Sequence, residues 1–570
     1  MRPLFMLPAV AFCFAIFFFL IRTSDAQSIN LDWALSAGGS AFEMGKDVTT
    51  DNQGNVYITG YFRDVVDFDP GPGTVNLTSN GATDIFVQKL DSQGNLLWVR
   101  GFGSNSSDIG LAIAVDANGG VYTTGRFYGS VDFDPDTSSS ILSATSYDIF
   151  ILKLTAQGDL AWARKIGGND NDEGLDIALD NTGNSYTAGL FRGTADFDPD
   201  TGQYELISAG DKDAFVVKLD NNGDLVWASH MGGSNEDQAS ALALGNNNEV
   251  FLAGHFEGTA DFDPGNGVIN LSSDGGLDIF VQKLDAAGQL DWVRKVGGTA
   301  RDLAAALTLD GSEMIYLTGY FEGTVDFDPG NDSTLLTSNG LRDIFTLKLT
   351  PSGNFLWASH AGGSEDDGGI AISADTMGYV YTAGAFKQTA DFDPGPATTT
   401  LSSAGKSDVF IQKLSPGGEL VWARSFGSSQ TDEAYGISCD VNNELYATGH
   451  FGDTINVHPA GGSAPLVSQG QLDIFVLKWS DQSSVGTKRN PSLEMIDLYP
   501  NPSFGRINLQ LGAALETVEI AILSANGQVL QQWTEKGIDH LNFDLPSKPG
   551  FYLISVKTDH GQRLFKVFRK

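Results

Sequence analysis

Carboxylates recur at fixed positions in this 570-residue chain, and their spacing raises the first question about chemistry. Seven tryptophans recur about every 65 residues, and an acid stands ten residues after each of them. These acids are Glu43, Asp108, Asp172, Asp237, Asp302, Asp367 and Asp432. A ring of such carboxylates would bind cations or basic groups. The alternative is architectural, with each carboxylate accepting backbone N–H bonds from an adjacent turn.

A second acidic motif, Asp-Phe-Asp-Pro, occurs six times. Its carboxylates are Asp67 and Asp69, Asp132 and Asp134, Asp196 and Asp198, Asp261 and Asp263, Asp326 and Asp328, and Asp391 and Asp393. In an extended chain both Asp side chains point to one face and the Phe to the other. Oxygen-only ligands suit Ca²⁺, the one cofactor that we expect, although the EF-hand ladder is missing. The alternative is an Asp-Pro-Gly turn. In the seventh repeat Asn456-Val457-His458-Pro459 stands instead.

One lysine per repeat lies in an otherwise apolar run. These are Lys89, Lys153, Lys218, Lys283, Lys348, Lys413 and Lys478. We expect each of them to pair with a carboxylate of its own repeat rather than to act as a catalytic base. The sequence has no nucleophile elbow, zinc-protease motif, Walker loop, CxxC pair or dinucleotide fingerprint, and its histidines do not cluster.

The repeat predicts an all-β fold. The tryptophans Trp33, Trp98, Trp162, Trp227, Trp292, Trp357 and Trp422 keep a spacing of 64 or 65 residues. Each unit predicts four strands, which we call A to D; in the second unit they cover 108–116, 120–127, 148–154 and 159–167. Tight turns join A to B and C to D, and all long loops fall at the other end. Four strands repeated seven times indicate a seven-bladed β-propeller over 27–480.

The two ends of the repeat array complement each other. The chain enters with a lone D-type strand, 31–39, and leaves after a C-type strand, 473–479. The N-terminal strand is therefore predicted to complete the last blade and close the ring. A parallel β-solenoid is the structural alternative, but it would leave these complementary ends unexplained.

Charge and the N-terminus indicate an exported protein. The net charge is −37, and residues 27–487 carry about −40 of it, which disfavours nucleic acid and anionic membrane partners. Arg2 precedes an apolar run from Leu4 to Ile21, and Ser24 and Ala26 precede a predicted cleavage point. We predict a signal peptide over 1–26, with an uncleaved anchor as the alternative. Only Cys439 then remains, so no intrachain disulfide is expected.

A linker, 481–494, leads to a second module, 495–570, whose alternating runs predict a small β-sandwich. Its distinctive residues are Pro500, Asn501, Pro502, Gly505, Gly550, Tyr552, Lys566 and Lys570. This pattern resembles the type A C-terminal sorting domain of the type IX secretion system, with an immunoglobulin-like adhesion module as the alternative. The resemblance implies export through the periplasm by the type IX machinery, followed by release or attachment at the outer-membrane surface.

The 65-residue unit resembles the bacterial β-propeller repeat called SBBP, a family without a settled activity. The sequence therefore favours a secreted or cell-surface binding or scaffold protein, monomeric in its propeller, with an unidentified glycan or protein ligand. The alternative is an extracellular glycan hydrolase or lyase that uses carboxylates of the loop face. Loss of carboxylates in the seventh unit, rather than specialisation of one pair, argues against catalysis.

Overall fold

The structure is a computed structural model that describes residues 29–136, 138–459, 461–481, 497–499, 506–515, 517–524, 529–548, 550–558 and 561–569. The described residues form strands and turns, with no helix among them. Accordingly, no helix in this part of the chain has the length and apolar character needed to cross a membrane. The chain divides into two compact parts, residues 1–481 and 482–570. The predicted signal peptide and nearly all of the predicted linker lie outside the described residues.

In the first part, the described strands form seven antiparallel four-stranded units. We number the units 1 to 7 from the first strand A and keep the letters A to D. The strands of units 1 and 2 follow β1 (Ile29–Ala37) and are β2 (Met44–Thr50), β3 (Val56–Phe62), β4 (Val65–Asp67), β5 (Asn76–Thr78), β6 (Asp84–Leu90), β7 (Leu96–Phe102), β8 (Ile109–Val115), β9 (Val121–Asp132), β10 (Ile141–Leu154) and β11 (Leu160–Gly168). Units 3 and 4 contain β12 (Glu173–Leu179), β13 (Ser185–Phe191), β14 (Thr194–Asp196), β15 (Glu205–Ile207), β16 (Asp213–Leu219), β17 (Leu225–Gly233), β18 (Asp237–Leu244), β19 (Val250–Asp261), β20 (Asn270–Leu284) and β21 (Leu290–Gly298). Units 5 to 7 contain β22 (Leu303–Leu309), β23 (Ile315–Asp326), β24 (Leu335–Leu349), β25 (Phe355–Gly363), β26 (Gly368–Ala374), β27 (Val380–Phe386), β28 (Thr389–Asp391), β29 (Thr400–Ser402), β30 (Asp408–Leu414), β31 (Leu420–Phe426), β32 (Glu433–Cys439), β33 (Glu444–Phe451), β34 (Thr454–Asn456), β35 (Pro465–Val467) and β36 (Asp473–Asp481).

The connection from strand B to strand C differs from the prediction. It was expected to be a loop, but it is a second short hairpin, separate as β4–β5 or continuous with the main strands as in β9–β10. The reason is a short alternating pattern, in which apolar residues such as Val131 and Leu142 pair across the hairpin and pack inward. The first Asp of the Asp-Phe-Asp-Pro motif ends the ascending arm, so the motif lies in the turn region of this hairpin.

The predicted pairing of the N-terminal strand with the last strand C is present. Strand β1 runs antiparallel to β36, with Ala34 opposite Leu477, and thus serves as strand D of unit 7. The same segment also contacts unit 1, because Gly38 bridges to Asp67 and the Trp33 indole donates to the Ser92 carbonyl at 3.2 Å. One segment therefore joins the last unit to the first.

Neighbouring units share their cores. Phe150 packs in one cluster with Tyr57 of unit 1, whereas Ile151 packs in another with Phe215 of unit 3. Each side of a sheet therefore faces a neighbouring unit, and this explains why strand C is apolar on both sides. The repeated tryptophan adds a polar link, as when Trp98 donates to the Ala156 carbonyl in the C–D turn of the next unit at 3.1 Å.

The second part of the chain contains two antiparallel sheets in its described residues, a three-stranded and a four-stranded one. Their strands are β37 (Asp497–Tyr499), β38 (Arg506–Leu515), β39 (Val518–Ser524), β40 (Val529–Glu535), β41 (Ile538–Asp544), β42 (Gly550–Thr558) and β43 (Gly561–Arg569). Both sheets contribute to one hydrophobic cluster, Leu509 from the first and Ile520 and Ile554 from the second. This packing supports an independent β domain.

Candidate functional site

The seven acids that follow the tryptophans, here called the ring acids, are buried, and none exposes more than 1% of its surface. Each receives a hydrogen bond from the backbone amide four residues before it, at 2.5 to 3.0 Å. In Asp302, for example, Oδ2 accepts from Gly298 at 2.8 Å and Oδ1 accepts from Glu322 at 3.1 Å. These bonds tie the D-to-A connection to the end of strand B. The geometry therefore supports the architectural alternative for the ring acids.

Burial has an electrostatic consequence for the ring acids. It is the main cause that raises the pKa of Glu43 to about 8 and the pKa of Asp172, Asp237 and Asp302 to about 7. Backbone hydrogen bonds oppose this effect without cancelling it. The ring acids are thus weak acids without an exposed surface.

The Asp-Phe-Asp-Pro motifs form capped turns. In unit 6, Asp391 Oδ1 accepts from the amides of Asp393 at 3.1 Å and Thr399 at 2.8 Å, and Asp393 Oδ1 accepts from Gly395 at 2.8 Å. The Phe between them, Phe392, is fully buried against the ring of Phe410, 5.1 Å between ring centroids. The other five motifs repeat the bonds of the first Asp.

The seventh unit shows which property of the first Asp is kept. There Asn456 Oδ1 accepts from the amide of Ala464 at 2.9 Å, the bond that Asp391 makes to Thr399. Val457 is fully buried in place of the Phe. The acceptor oxygen and the apolar anchor persist while the charge is lost. In the described residues, moreover, no group of three or more His, Cys, Asp or Glu is arranged to hold a metal ion.

The strand C lysines only partly follow the prediction. Lys218, Lys283 and Lys478 lie 2.6 to 3.8 Å from carboxylates. Lys89 and Lys348 instead donate to carbonyls in the C–D turn of the next unit, at 3.3 and 3.2 Å. The reason is that both lysines lie beside that turn.

All seven strand C lysines share a contact that was not predicted from the sequence. Each ammonium lies over an aromatic ring of strand B. These are the contacts Lys89–Tyr57, Lys153–Tyr122, Lys218–Tyr186, Lys283–Phe251, Lys348–Tyr316, Lys413–Tyr381 and Lys478–Tyr446.

An axial cavity of about 470 Å³ is lined by strand A residues from all seven units. Most of the residues that line it are aliphatic, but Asp47 and Asp176 line it as well, and burial raises the pKa of each to about 7. Asp47 Oδ2 accepts from the amide of Ile113 in unit 2 at 2.9 Å, and Asp176 Oδ2 accepts from Leu242 in unit 4 at 2.7 Å. These carboxylates link neighbouring A strands.

Every strand A carries a bulge at its third residue, or at the fourth in β18, where the register against strand B shifts. A bulge redirects a side chain, and the bulged residues line the axial cavity. These residues differ between units and are Lys46, Leu111, Leu175, Ser240, Ala305, Ile370 and Tyr435. Units 7 and 1 alone contribute an aromatic residue and a cation at this position.

A charged and aromatic cluster surrounds these two residues at the loop end of the cavity. We call it the Lys46 cluster, and it comprises Lys46, Arg126, Glu173, Glu433, Tyr435 and His450. The Lys46 ammonium lies 3.4 Å from the centroid of the Tyr435 ring, and the Tyr435 hydroxyl donates to Glu433 at 2.7 Å. Arg126 forms an ion pair with Glu173. The His450 ring packs on Tyr435 with the centroids 5.6 Å apart.

Burial shifts the pKa values of two members of the Lys46 cluster. Burial, reinforced by Arg126 and opposed by Glu433, lowers the pKa of Lys46 to about 8. Burial, reinforced by Lys46, lowers the pKa of His450 to about 4. Neither nitrogen of His450 has a hydrogen-bond partner among the described residues, and the side chain is only 2% exposed. Perturbed ionisable groups concentrated in a cavity are typical of functional sites.

This cluster was not predicted from the sequence, although one variable position in the repeat indicates it. Just after the invariant strand B glycine, the residue type changes from unit to unit, whereas the next residue is always Phe. The variable residues are Tyr61, Arg126, Leu190, His255, Tyr320, Ala385 and His450. In a repeat protein, a position that varies while its neighbours stay constant is one that the repeated architecture does not require to be a particular residue type.

The residues of the predicted sorting motif are only partly described. Pro500, Asn501, Pro502, Gly505 and Lys570 lie outside the described residues. Gly550 begins β42, and the Tyr552 hydroxyl donates to the Lys548 carbonyl at 2.7 Å. Lys566 lies within β43.

Comparison with known proteins identifies the C-terminal module. Residues 497–568 match the family model of the secretion system C-terminal sorting domain. This match indicates export by type IX secretion to the cell surface or the extracellular space, and it implies contact with the type IX machinery.

Two curated relatives match the chain more distantly. An uncharacterised WD repeat-containing protein of Acanthamoeba polyphaga mimivirus is 24% identical over 538 residues, which is 79% of this chain and 38% of that protein. Regulatory protein FlaEY of Caulobacter vibrioides is 29% identical over 203 residues, 35% of this chain and 21% of that protein. The chain thus spans well under half the length of these relatives. The WD-repeat likeness suggests a β-propeller-like repeat fold.

A solved structure of a protein of unknown function from Bacteroides thetaiotaomicron aligns with a TM-score of 0.27 at 11% identity. The alignment covers 76% of this chain and 98% of that one. A score this low does not establish a common fold.

Proposed function

We propose that this protein is a secreted or cell-surface binding protein whose seven units are the blades of a closed β-propeller, and whose ligand binds at the Lys46 cluster. The observation that carries the binding proposal is the contrast between the repeated architecture and this non-repeating group, in which a buried ammonium lies over an aromatic ring that lines the axial cavity. Its position at the loop end of the axial cavity supports the proposal, since binding residues concentrate on loops that a rigid scaffold positions.

Three contacts support the closed seven-bladed ring. Strand β1 completes unit 7 and bridges to unit 1, strands A of successive units contact one another, and strand β32 of unit 7 contacts strand β2 of unit 1. A cavity lined by residues of all seven A strands also supports an arrangement of these strands around one axis. The likeness of the unit to the SBBP repeat, and the sandwich arrangement of the C-terminal sheets, are further parts of this proposal.

The arrangement of acids supports binding over catalysis. A glycan hydrolase or lyase needs two carboxylates in unlike environments that both reach the substrate. The ring acids are instead buried and engaged with backbone amides in the same way in successive units. The enzyme alternative would therefore depend on Glu173 and Glu433, which already hold Arg126 and Tyr435.

We predict that Lys46→Leu and Tyr435→Ile weaken binding strongly while leaving the fold intact. Each substitution introduces the residue type that the chain itself carries at the equivalent position, Leu111 or Ile370. Loss of the ammonium–ring contact should weaken binding at least about tenfold, as truncating a central interface residue does. The measurement is binding of the mature protein to arrays of neutral and acidic oligosaccharides and of purified cell-surface proteins.

The matched control is Ile370→Leu, which changes the same strand position in unit 6 outside the cluster. Equal binding by all three variants would contradict the proposed site. Release of new reducing ends from the same oligosaccharides would favour the enzyme alternative.

Calcium binding by the Asp-Phe-Asp-Pro loops stays a prediction. The turn alternative predicts instead that these loops are stable without calcium. If the first Asp acts as a turn acceptor, Asp391→Asn keeps the melting temperature, as Asn456 does naturally, and Asp391→Ala costs about 1–2 kcal/mol. The melting temperature of the wild type is then the same in calcium and in chelator. We expect this result from the hydrogen bonds. Thermal unfolding with calcium and with chelator measures it, and a lower melting temperature of the wild type in chelator would establish a calcium site instead.

A further inference from the structure

Seven pairs of buried carboxyl groups lie between successive units. Each pair joins the Asp that begins strand C of one unit to the ring acid of the next. The pairs, which we call boundary pairs, are Asp84–Asp108, Asp148–Asp172, Asp213–Asp237, Asp278–Asp302, Asp343–Asp367, Asp408–Asp432 and Asp473–Glu43. None of these side chains exposes more than 3% of its surface.

The two members of a pair are close. Asp148 Oδ1 and Asp172 Oδ2 both lie within 2.9 Å of the point where a Cβ on Gly167 would stand. At the next boundaries the same point on Gly232, Gly297, Gly362 and Gly427 lies 2.2 to 2.5 Å from the carboxyl carbon of the strand C Asp. The glycine at the end of strand D thus faces the strand C carboxyl group, and the amide of the next residue donates to the ring acid, so both carboxyl groups lie against the same short segment.

The hydrogen bonds leave at least one oxygen of most pairs unsatisfied, and in the pair Asp213–Asp237 the Oδ1 of both members has no partner in the described structure. In Asp408, Oδ2 accepts from the amide of Ala404 at 3.0 Å, whereas Oδ1 is buried without a partner in the described structure. The same oxygen lacks a partner in Asp84, Asp213, Asp278 and Asp343. Its neighbour Asp432 is fully engaged, because Oδ2 accepts from Ser428 and Oδ1 accepts from Gly452 at 2.9 Å.

An ionised pair would be costly in two ways. Two like charges would stand side by side away from water, and a buried acceptor would have no donor. A single proton on the strand C Asp removes both costs, because its Oδ1 becomes a hydroxyl that donates to the ring acid. We propose that each boundary pair without a nearby cation holds one shared proton, so that the contact between successive units depends on proton binding.

The pair between units 2 and 3 provides a natural contrast. There the Lys165 ammonium lies 2.7 Å from Asp148 Oδ2, and the Ser146 hydroxyl donates to Oδ1 at 3.2 Å. A cation and a hydroxyl supply at this boundary what a proton supplies at boundaries without a cation. Lys295, the equivalent lysine between units 4 and 5, lies 3.4 Å from Asp278 Oδ2, so that pair also has a nearby cation. At the boundary between units 6 and 7, the equivalent of Lys165 is Ser425.

The charged surroundings of the Asp408–Asp432 pair reinforce proton binding. Asp453, at the end of strand B of unit 7, raises the pKa of Asp432, and Asp432 in turn contributes to raising the pKa of Asp408. Burial is the largest cause for both. Among the described residues no Lys, Arg or His forms an ion pair with either member of this pair.

The sign of the pH dependence follows from these directions. The pKa of Asp408 is raised to about 6 in the folded state, above about 3.9 for an unfolded Asp. The folded state therefore binds the proton more tightly, and this contribution to stability is complete below about pH 4 and is lost as the pH rises through about 6. The boundary pairs thus make the protein more stable in mildly acidic than in alkaline solution.

The test compares Asp408→Asn with wild type in the full mature chain. The amide of Asn is a permanent replacement for the neutral carboxyl, since its NH₂ group can donate to Asp432. We expect the variant to keep the wild-type melting temperature at pH 5 and to exceed it at pH 8. Infrared spectra at pH 5 should lose one carboxylic acid C=O band relative to wild type. Asp84→Asn at the boundary between units 1 and 2 should behave in the same way.

Asp148→Asn is the control, because it removes the partner of Lys165 and should lower the melting temperature at both pH values. Two results would overturn the proposal. One is an equal loss of stability at pH 5 and pH 8 in Asp408→Asn, as expected if both carboxyl groups are ionised. The other concerns calcium at pH 8. If calcium raises the melting temperature of the wild type but not that of Asp408→Asn, the pair binds a metal ion instead of a proton.

Discussion

Deletion of strand β1 is expected to destabilise the repeat part of the chain more than any single substitution. Without Ile29–Ala37, β36 loses a neighbour along its whole length, and two hydrophobic clusters lose the buried side chains of Ile29 and Ala37. The bridge to Asp67 and the bond from Trp33 to Ser92 disappear as well. Together these losses should cost on the order of 5 kcal/mol, and the melting temperature should fall accordingly.

The physical reason is that β1 acts at two boundaries at once. In a closed ring, removal of one strand exposes the edge of β36 and also weakens the contact between units 7 and 1. The matched control is deletion of residues 27 and 28 only, which leaves β1 in place. Thermal unfolding of the two mature proteins measures the difference, and equal melting temperatures would show that β1 does not hold the ring together.

Substitution of a strand B glycine is expected to have the next largest effect. In unit 5, a Cβ on Gly319 would stand 1.9 Å from the carbonyl oxygen of Leu303 in strand A. A backbone atom cannot move aside as a flexible side chain would, so Gly319→Ala must separate strands A and B at the bulge. We expect a loss of roughly 3 kcal/mol.

Gly311→Ala is the control for this substitution, because a Cβ there meets nothing within 4 Å. Chemical denaturation of both variants measures the difference in unfolding free energy. Similar values for Gly319→Ala and wild type would mean that the close approach of strands A and B is not needed for the fold. Gly384→Ala in unit 6, where the equivalent distance is 2.1 Å, should repeat the result.

The sequence predicted those features that repeat. The spacing of the tryptophans located all four strands of every unit, and the complementary ends predicted that β1 pairs with β36. It also placed Phe392 and its equivalents as apolar anchors. These predictions succeeded because each depends on a local pattern that occurs six or seven times in one chain.

Other features could not be predicted from local pattern. The hairpin in the B–C connection is short, and the turn residues of the Asp-Phe-Asp-Pro motif hide its strands. The orphaned oxygen of Asp408 depends on a neighbouring unit, since Asp432 lies 24 residues further along the chain in the next repeat. The contact between Lys46 and Tyr435 forms only because units 7 and 1 are adjacent in space, although the two residues are almost four hundred residues apart in the chain.

Amide hydrogen exchange of β36 tests the closed ring most directly. In wild type, β36 lies between β33 and β1, so its amides should be protected as strongly as those of β30, the strand C of unit 6. In the protein that lacks β1, protection of Asp473–Trp479 should fall while β30 stays protected. Rapid exchange of β36 in the wild type, at the rate of an edge strand, would contradict closure of the ring by the N-terminal strand.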